Sequence, residues 1–284
     1  MATATGIAIR TRYNGNTYVG DWYTPSAARS NIDVGRNNAY TPQRNYVAQI
    51  KFTLSAPATR VEIKFNCGGV NNTYVDGSSY KLAFKHSLLE NDPNLINATR
   101  GTANDGTFYF KTTSSATTPS PLVLTGNFSI GTHYVYIWSD VSTSFGNYSR
   151  INSTTVQVVY TAVSSYTLSL TKSAKASVSI TLTSSSYRST GIALGNGSAV
   201  YNGEKIQITF FASSGYEATA TYNGAAIASG VEKTVTTTPV IIVNAKAKGI
   251  AIIDGSVHLV YIYDGSQFNQ YIPMIWTGSA WEIY

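Results

Sequence analysis

Apolar and polar positions alternate along most of this chain. In Thr59–Cys67, Val61, Ile63, Phe65 and Cys67 fall on one side and Arg60, Glu62, Lys64 and Asn66 on the other. A period of two is that of a strand with one face on a core and one in water. Tyr46–Leu54 repeats the pattern, with Ala48, Ile50, Phe52 and Leu54 on its apolar side. Similar runs predict strands at Gly6–Tyr13, Tyr80–His86, Thr107–Lys111, Leu122–Ile130, His133–Trp138 and Thr154–Ala162. About eight strands punctuated by Gly, Asn, Pro and Ser turns predict a β-sandwich of jelly-roll type. Ser87–Asn94 is the best helical stretch, and it is only a turn or two long.

A boundary is expected at Ala162–Ser165, so residues 1–163 form the sandwich. Residues 164–249 form a smaller β-rich module, with strands near Tyr166–Leu170, Ser177–Thr183, Lys205–Phe211, Glu217–Tyr222 and Val240–Ala247. Asn196-Gly197, Asn202-Gly203 and Asn223-Gly224 are strong hairpin signals. Residues 250–284 hold a repeat. Ile253–Tyr261 aligns with Tyr263–Tyr271 and with Trp276–Tyr284, and Gly255, Gly265 and Gly278 stand 10 and 13 apart. Each repeat predicts a strand, a glycine turn and a return strand. A lone hairpin is marginal in water, so these units should pack on each other or on another chain. The fold class is therefore all-β throughout.

Composition sharpens this picture. Charged residues make up 12% of the 284, against roughly 25% in an ordinary soluble domain. In their place stand 35 Thr, 32 Ser, 21 Asn and 21 Tyr. The abundance of aromatic and β-branched residues excludes a disordered tail. The chain has no long apolar run of the kind a membrane helix needs. The net charge of +6 is concentrated in residues 1–165, which hold 13 Lys/Arg and 8 Asp/Glu. No dense basic stripe accompanies it, so neither nucleic acid nor membrane is an expected partner. The single cysteine, Cys67, excludes an intramolecular disulfide and reads as a small core side chain. The opening MATATGIAIR has no basic or apolar stretch of the signal-peptide kind.

Signatures of catalysis are missing. No His-Glu-x-x-His, Gly-x-Ser-x-Gly or phosphate-cradling loop occurs among these residues. Most acids lie in turn contexts such as Asp76-Gly77 and Asp105-Gly106. The expectation is a non-enzyme without cofactor or bound metal, with Glu90–Asn94 left open as a possible Ca²⁺ loop. The aromatics are the stronger lead, because tyrosine is a rigid, amphipathic contact surface. Trp22, Tyr23, Arg36 and Tyr40 form an aromatic, cationic stretch suited to a glycan or a protein partner. Tyr136 and Trp138 share one face of their strand with Tyr134. They form an exposed platform if Val135 and Ile137 point inward, and core if they point inward themselves. Tyr263, Phe268, Trp276 and Trp281 are candidates for assembly or docking.

Three segments carry a resemblance. Asn45-Tyr-Val-Ala-Gln-Ile-Lys-Phe-Thr-Leu54, Tyr80-Lys-Leu-Ala-Phe84 and Gly131-Thr-His-Tyr-Val-Tyr-Ile-Trp-Ser139 resemble β-sandwich modules in minor structural proteins of phages of Firmicutes and related gut bacteria. Tyr201-Asn-Gly-Glu-Lys-Ile-Gln-Ile-Thr209, Ser214-Gly-Tyr216 and Tyr222-Asn-Gly224 look like the internalin-type B repeat, which usually has Val-Asn-Gly at the last place. The Asp/Thr-Gly-Ser repeats are similar to tail-end repeats of the same phage proteins. The resemblance implies a virion protein of tail, fibre or capsid-decoration type. It implies other virion proteins as partners, a homo-oligomer, and a host cell-surface polysaccharide as the adhesion target. The alternative reading is a secreted bacterial glycan-binding or adhesin module.

Overall fold

A computed structural model describes residues 1–15, 31–37, 44–70, 79–111, 121–140, 148–214, 216–247, 260–263, 268–271, 274–276 and 281–283. Strands dominate, and the described residues contain no α-helix, only a short 3-10 turn at Ser153–Thr155. The chain divides into two compact units, Met1–Val163 and Ser164–Tyr284.

The first unit is a sandwich of two antiparallel sheets. The smaller runs Ala2–Thr3, Gln157–Ala162, Ala58–Lys64, Leu122–Phe128. The larger has eight strands. Its path is Cys67–Val70, Tyr148–Asn152, Asn31–Asn37, Arg44–Leu54, Gly131–Ser139, Ser79–Ser87, Gly106–Lys111, and Thr5–Gly15 also pairs with Arg44–Leu54. The predicted alternation meets in the middle. Ile50, Phe52, Leu54, Val135 and Ile137 of the large sheet share one buried core with Val61, Ile63, Leu122 and Val158 of the small one. Burying such side chains stabilises by about 1.5–3 kcal/mol each. The N-terminal chain passes from the small sheet to the large one at Ala4, and Gly6, just inside the new strand, has a φ of 59°, in the left-handed region that glycine enters without steric cost. The register shifts at the same point, between Thr5 and Ala8.

Two expectations need correction here. The Thr59–Cys67 run is not one strand. It breaks at Phe65–Asn66, and Cys67 opens a strand of the other sheet. Ser87–Asn94 forms no helix, because the Ser87 and Asp92 side chains hold it in turns. The Ser87 hydroxyl donates to Asp92 Oδ2 (2.8 Å), and Asp92 Oδ1 accepts the Asn94 amide (3.0 Å). Such local side-chain bonds compete with helical ones.

The second unit holds two four-stranded sheets, Ser169–Lys172, Val240–Ala247, Tyr216–Tyr222, Ala225–Ile227 and Ala193–Leu194, Ala176–Ser184, Lys205–Ala212, Val231–Thr234. Leu182, Ile206, Ile208, Ile241 and Val243 fill the core between them. Ser169–Lys172 and Val240–Ala247, the first and last strands of the pair of sheets, run parallel. Of the three Asn-Gly pairs, Asn223-Gly224 alone has both residues at positive φ, 49° and 83°. It alone makes the two-residue hairpin, joining Tyr216–Tyr222 to Ala225–Ile227. Asn196 and Asn202 sit in turns between strands that do not pair with each other. Beyond the sheets, Val260–Tyr263 pairs with Phe268–Tyr271 and Met274–Trp276 with Trp281–Ile283. These are the second and third predicted repeats, and the turn of the first lies outside the described residues.

Candidate functional site

Trp22, Tyr23 and Tyr40 lie outside the described residues. Arg36 stands in the Asn31–Asn37 strand, opposite Asn45 of the neighbouring strand. The tail residues fall in register: Tyr263 opposite Phe268, and Trp276 opposite Trp281.

Tyr136 and Trp138 do not form an exposed platform. Both side chains are fully buried although Val135 and Ile137 point into the main core. The reason is a third layer. Residues 88–104 fold as a strap over the outer face of the large sheet. Leu95 and Ala98 join Tyr134, Tyr136, Trp138, Val47 and Ala83 in a second apolar cluster. Polar bonds pin the strap. The Tyr136 hydroxyl donates toward the carbonyls of Leu89 and Glu90 (2.9 and 2.7 Å) and accepts the Asp92 amide (3.1 Å). Arg10 donates to Gln49 Oε1 and to the Glu90 carbonyl, and pairs with the Glu90 carboxylate at 3.3 Å. Burial pushes the Tyr136 phenol up. The carboxylates of the Ca²⁺ candidate Glu90–Asn94 are thus engaged by protein groups. No cluster of three metal-ligating side chains occurs among the described residues.

Replacing Tyr136 with phenylalanine should cost about 1–2 kcal/mol, because the strap's carbonyls and an amide lose their buried partner. Hydrogen exchange at the Asp92 amide should accelerate in that variant. Unchanged protection there would show that the apolar contacts and the Arg10 and Gln49 bonds to Glu90 hold the strap without the hydroxyl.

A feature that spacing did not reveal lies on the inner side of the same strand. His86 Nε2 and His133 Nδ1 are 2.9 Å apart, and His133 Nε2 is 2.8 Å from the Ser129 carbonyl. A carbonyl only accepts, so His133 carries its proton on Nε2. A neutral imidazole has one N–H, so its Nδ1 accepts and His86 Nε2 donates. The tautomers thus assigned leave His86 Nδ1 as a lone pair that no described protein group reaches. Phe52 stacks on His133 at 5.5 Å, and Phe128 meets His86 edge-on at 5.2 Å. Burial, then the neighbouring His133, lower the His86 pKa to about 4, against a smaller upward pull from Asp105. Burial also lowers that of His133. Both rings are neutral at neutral pH.

His86 opens onto a cleft of about 260 Å³, lined further by Asp105 and by Val123–Phe128. Asp105 Oδ2 accepts the His86 amide at 2.7 Å. One wall is the strand Leu122–Phe128, the last in the small sheet and paired only with Ala58–Lys64 among the described strands.

The second unit spends its chemistry differently. The Glu204 carboxylate is fully buried and held by four donors. Arg188 grips it twice (2.8 and 2.6 Å), and the Ser185 hydroxyl and Tyr201 amide complete the set at 2.8 and 2.9 Å. The Arg188 guanidinium also lies over the Tyr201 ring, 5.1 Å from its centre. Elsewhere in this unit an open groove of about 460 Å³ exposes Phe211 beside Tyr216, Ala218 and Ile227.

No family model matches the chain, and no curated protein matches it. Among solved structures, it is similar to the adhesin domain of Epf from Streptococcus pyogenes, at 8% identity over 84% of each chain with a TM-score of 0.26. A score at that level carries no structural argument. The described residues form an all-β architecture of mainly antiparallel sheets, with one parallel pair in the second unit.

Proposed function

We propose that this chain is a structural protein of a bacteriophage virion, attached to the particle and displaying its β modules for adhesion to the host surface. The observation that carries the reading is how the described units use their ionisable groups. Glu62 pairs with Arg60, Glu90 with Arg10, Asp140 with Lys81, Glu204 with Arg188 and Glu232 with Lys205. Asp92 closes a turn. Retaining and inverting glycosidases need two carboxylates facing a shared cleft, typically about 5–9.5 Å apart, whereas these groups hold loops and strands. A rigid scaffold with a hydroxyl- and amide-rich surface fits display and weak, multivalent contact. The virion assignment rests on the serial resemblance of sandwich, repeat module and tail to phage proteins, and the tail hairpins, where Tyr263 stands opposite Phe268 and Trp276 opposite Trp281, are candidates for assembly or docking.

Density-gradient purification of particles followed by mass spectrometry tests it. The chain should sediment with the major capsid protein at a fixed ratio. Recovery in the soluble fraction, with polysaccharide binding retained, would favour a secreted adhesin instead.

A further inference from the structure

We propose that the cleft beside His86 and Asp105 is a binding subsite for one ring of an uncharged glycan. The inference rests on the adhesion reading above and gives it a ligand class.

The cleft presents acceptors without a cation to match them. His86 offers the Nδ1 lone pair left by the tautomers of the histidine pair. Asp105 uses Oδ2 on the His86 amide and leaves Oδ1 without a described partner. Neither Lys nor Arg lines the space. Such a site selects a ligand that arrives with donors, and it repels an anion. Thr125 and Asn127 are exposed on the facing wall, where each can donate or accept. Phe128 closes the base with an apolar surface, buried to 5% exposure. A sugar ring combines these needs, since adjacent hydroxyls donate to fixed acceptors while its C–H face lies on an apolar wall.

Size and backbone exclude the other occupants. At about 260 Å³ the cleft is below the ~300 Å³ at which pockets for drug-sized molecules begin. An added β-strand would need a regular edge, yet Gly126 sits at a φ of 148° and the register shifts between Ala58 and Arg60. Two ligands, one imidazole and one carboxylate, are fewer than a structural or catalytic metal site uses.

The test is a titration of the full chain at neutral pH, followed by amide and imidazole ¹H–¹⁵N spectra. The probes are the methyl glycosides of glucose, galactose and N-acetylglucosamine, with the glycoside of glucuronate as the anionic comparison. At ~10 mM a site with a Kd of ~1 mM is about nine-tenths filled. The His86 ring and the Thr125–Phe128 amides should shift with at least one neutral glycoside and not with glucuronate. Asp105→Asn keeps an acceptor for the His86 amide, and Asn127→Ala changes an exposed side chain. Each should weaken binding about fivefold, the equivalent of one net hydrogen bond. Absence of shifts at these residues with every glycoside overturns the proposal, as does a stronger response to glucuronate. If the intact chain binds host polysaccharide equally well in both variants, the cleft assignment falls and the adhesion reading stands.

Discussion

Arg188→Ala should be among the most damaging single substitutions in the second unit, costing about 3–5 kcal/mol, the usual penalty for stranding one member of a buried ion pair. The Glu204 carboxylate has no exposed side-chain surface, whereas Arg188 retains 23%. Removing the arginine leaves a buried charge with only the Ser185 hydroxyl and the Tyr201 amide. It also strips the cation from the Tyr201 ring. The reverse change, Glu204→Gln, should be milder, because the amide still accepts from Tyr201 and Arg188 can turn to water. Chemical denaturation of the two variants distinguishes the cases. Equal losses would mean that the pair's Coulombic attraction, rather than desolvation of Glu204, sets its value.

Acid should loosen the first unit before most carboxylates titrate. An unfolded histidine binds its proton near pH 6.5, but folded His86 does so only near 4. Between those values the unfolded chain holds more protons, so stability falls as pH falls. The contribution is fully present above about 6.5 and gone below about 4. At ~1.4 kcal/mol per pKa unit the loss is on the order of 3 kcal/mol, with His133 adding in the same direction. The groups facing the pair reinforce the argument. Phe52 and Phe128 offer no charge, Asp105 favours protonation weakly, and a second proton would set two cations against each other. Hydrogen exchange of the Gly131–Ser139 amides at pH 7 and 4.5 reads this directly. Protection should drop at the lower pH, and His86→Gln with His133→Gln should flatten the response. A wild-type response as flat as that of the double variant would remove the histidine pair as its cause.

Alternation was a reliable guide to which residues face the core and a poor one to what covers the other face. Ala48, Ile50, Phe52 and Leu54 are buried as the pattern requires, but so are Val47 and Gln49 on the side expected to be wet. Period two records a strand's pleat and not the layers above it. The clue to the strap was Leu95, Ile96 and Ala98 in an otherwise polar stretch, facing three aromatics on one strand that needed a cover. Glu62, placed by pattern on the wet face, is nearly buried between Val123 and Val159 of its neighbouring strands. The histidine pair was illegible because its members are 47 residues apart. Only the pairing of Tyr134 with Ser87 and its neighbours brings them together. Glu204 was equally hidden, since a carboxylate after Asn-Gly reads as turn chemistry until Arg188 arrives from a distant loop.

The parallel pairing of Ser169–Lys172 with Val240–Ala247 has a mechanical consequence. Because the two strands point the same way, the chain enters the sheet pair at the Ser169 end and Val240–Ala247 leads away from it, over roughly 23 Å at 3.3 Å per residue. Tension applied through the two ends therefore runs along the strands and loads all four residue pairs, Ser169 with Val240 through Lys172 with Val243, at once. Antiparallel end strands would instead peel apart pair by pair. In single-molecule pulling, the second unit should yield in one high-force event that weakens when Ser169 is replaced by proline, which removes the amide that donates to the Pro239 carbonyl at the head of the loaded pair. Gradual yielding at low force would show that tension bypasses this pair.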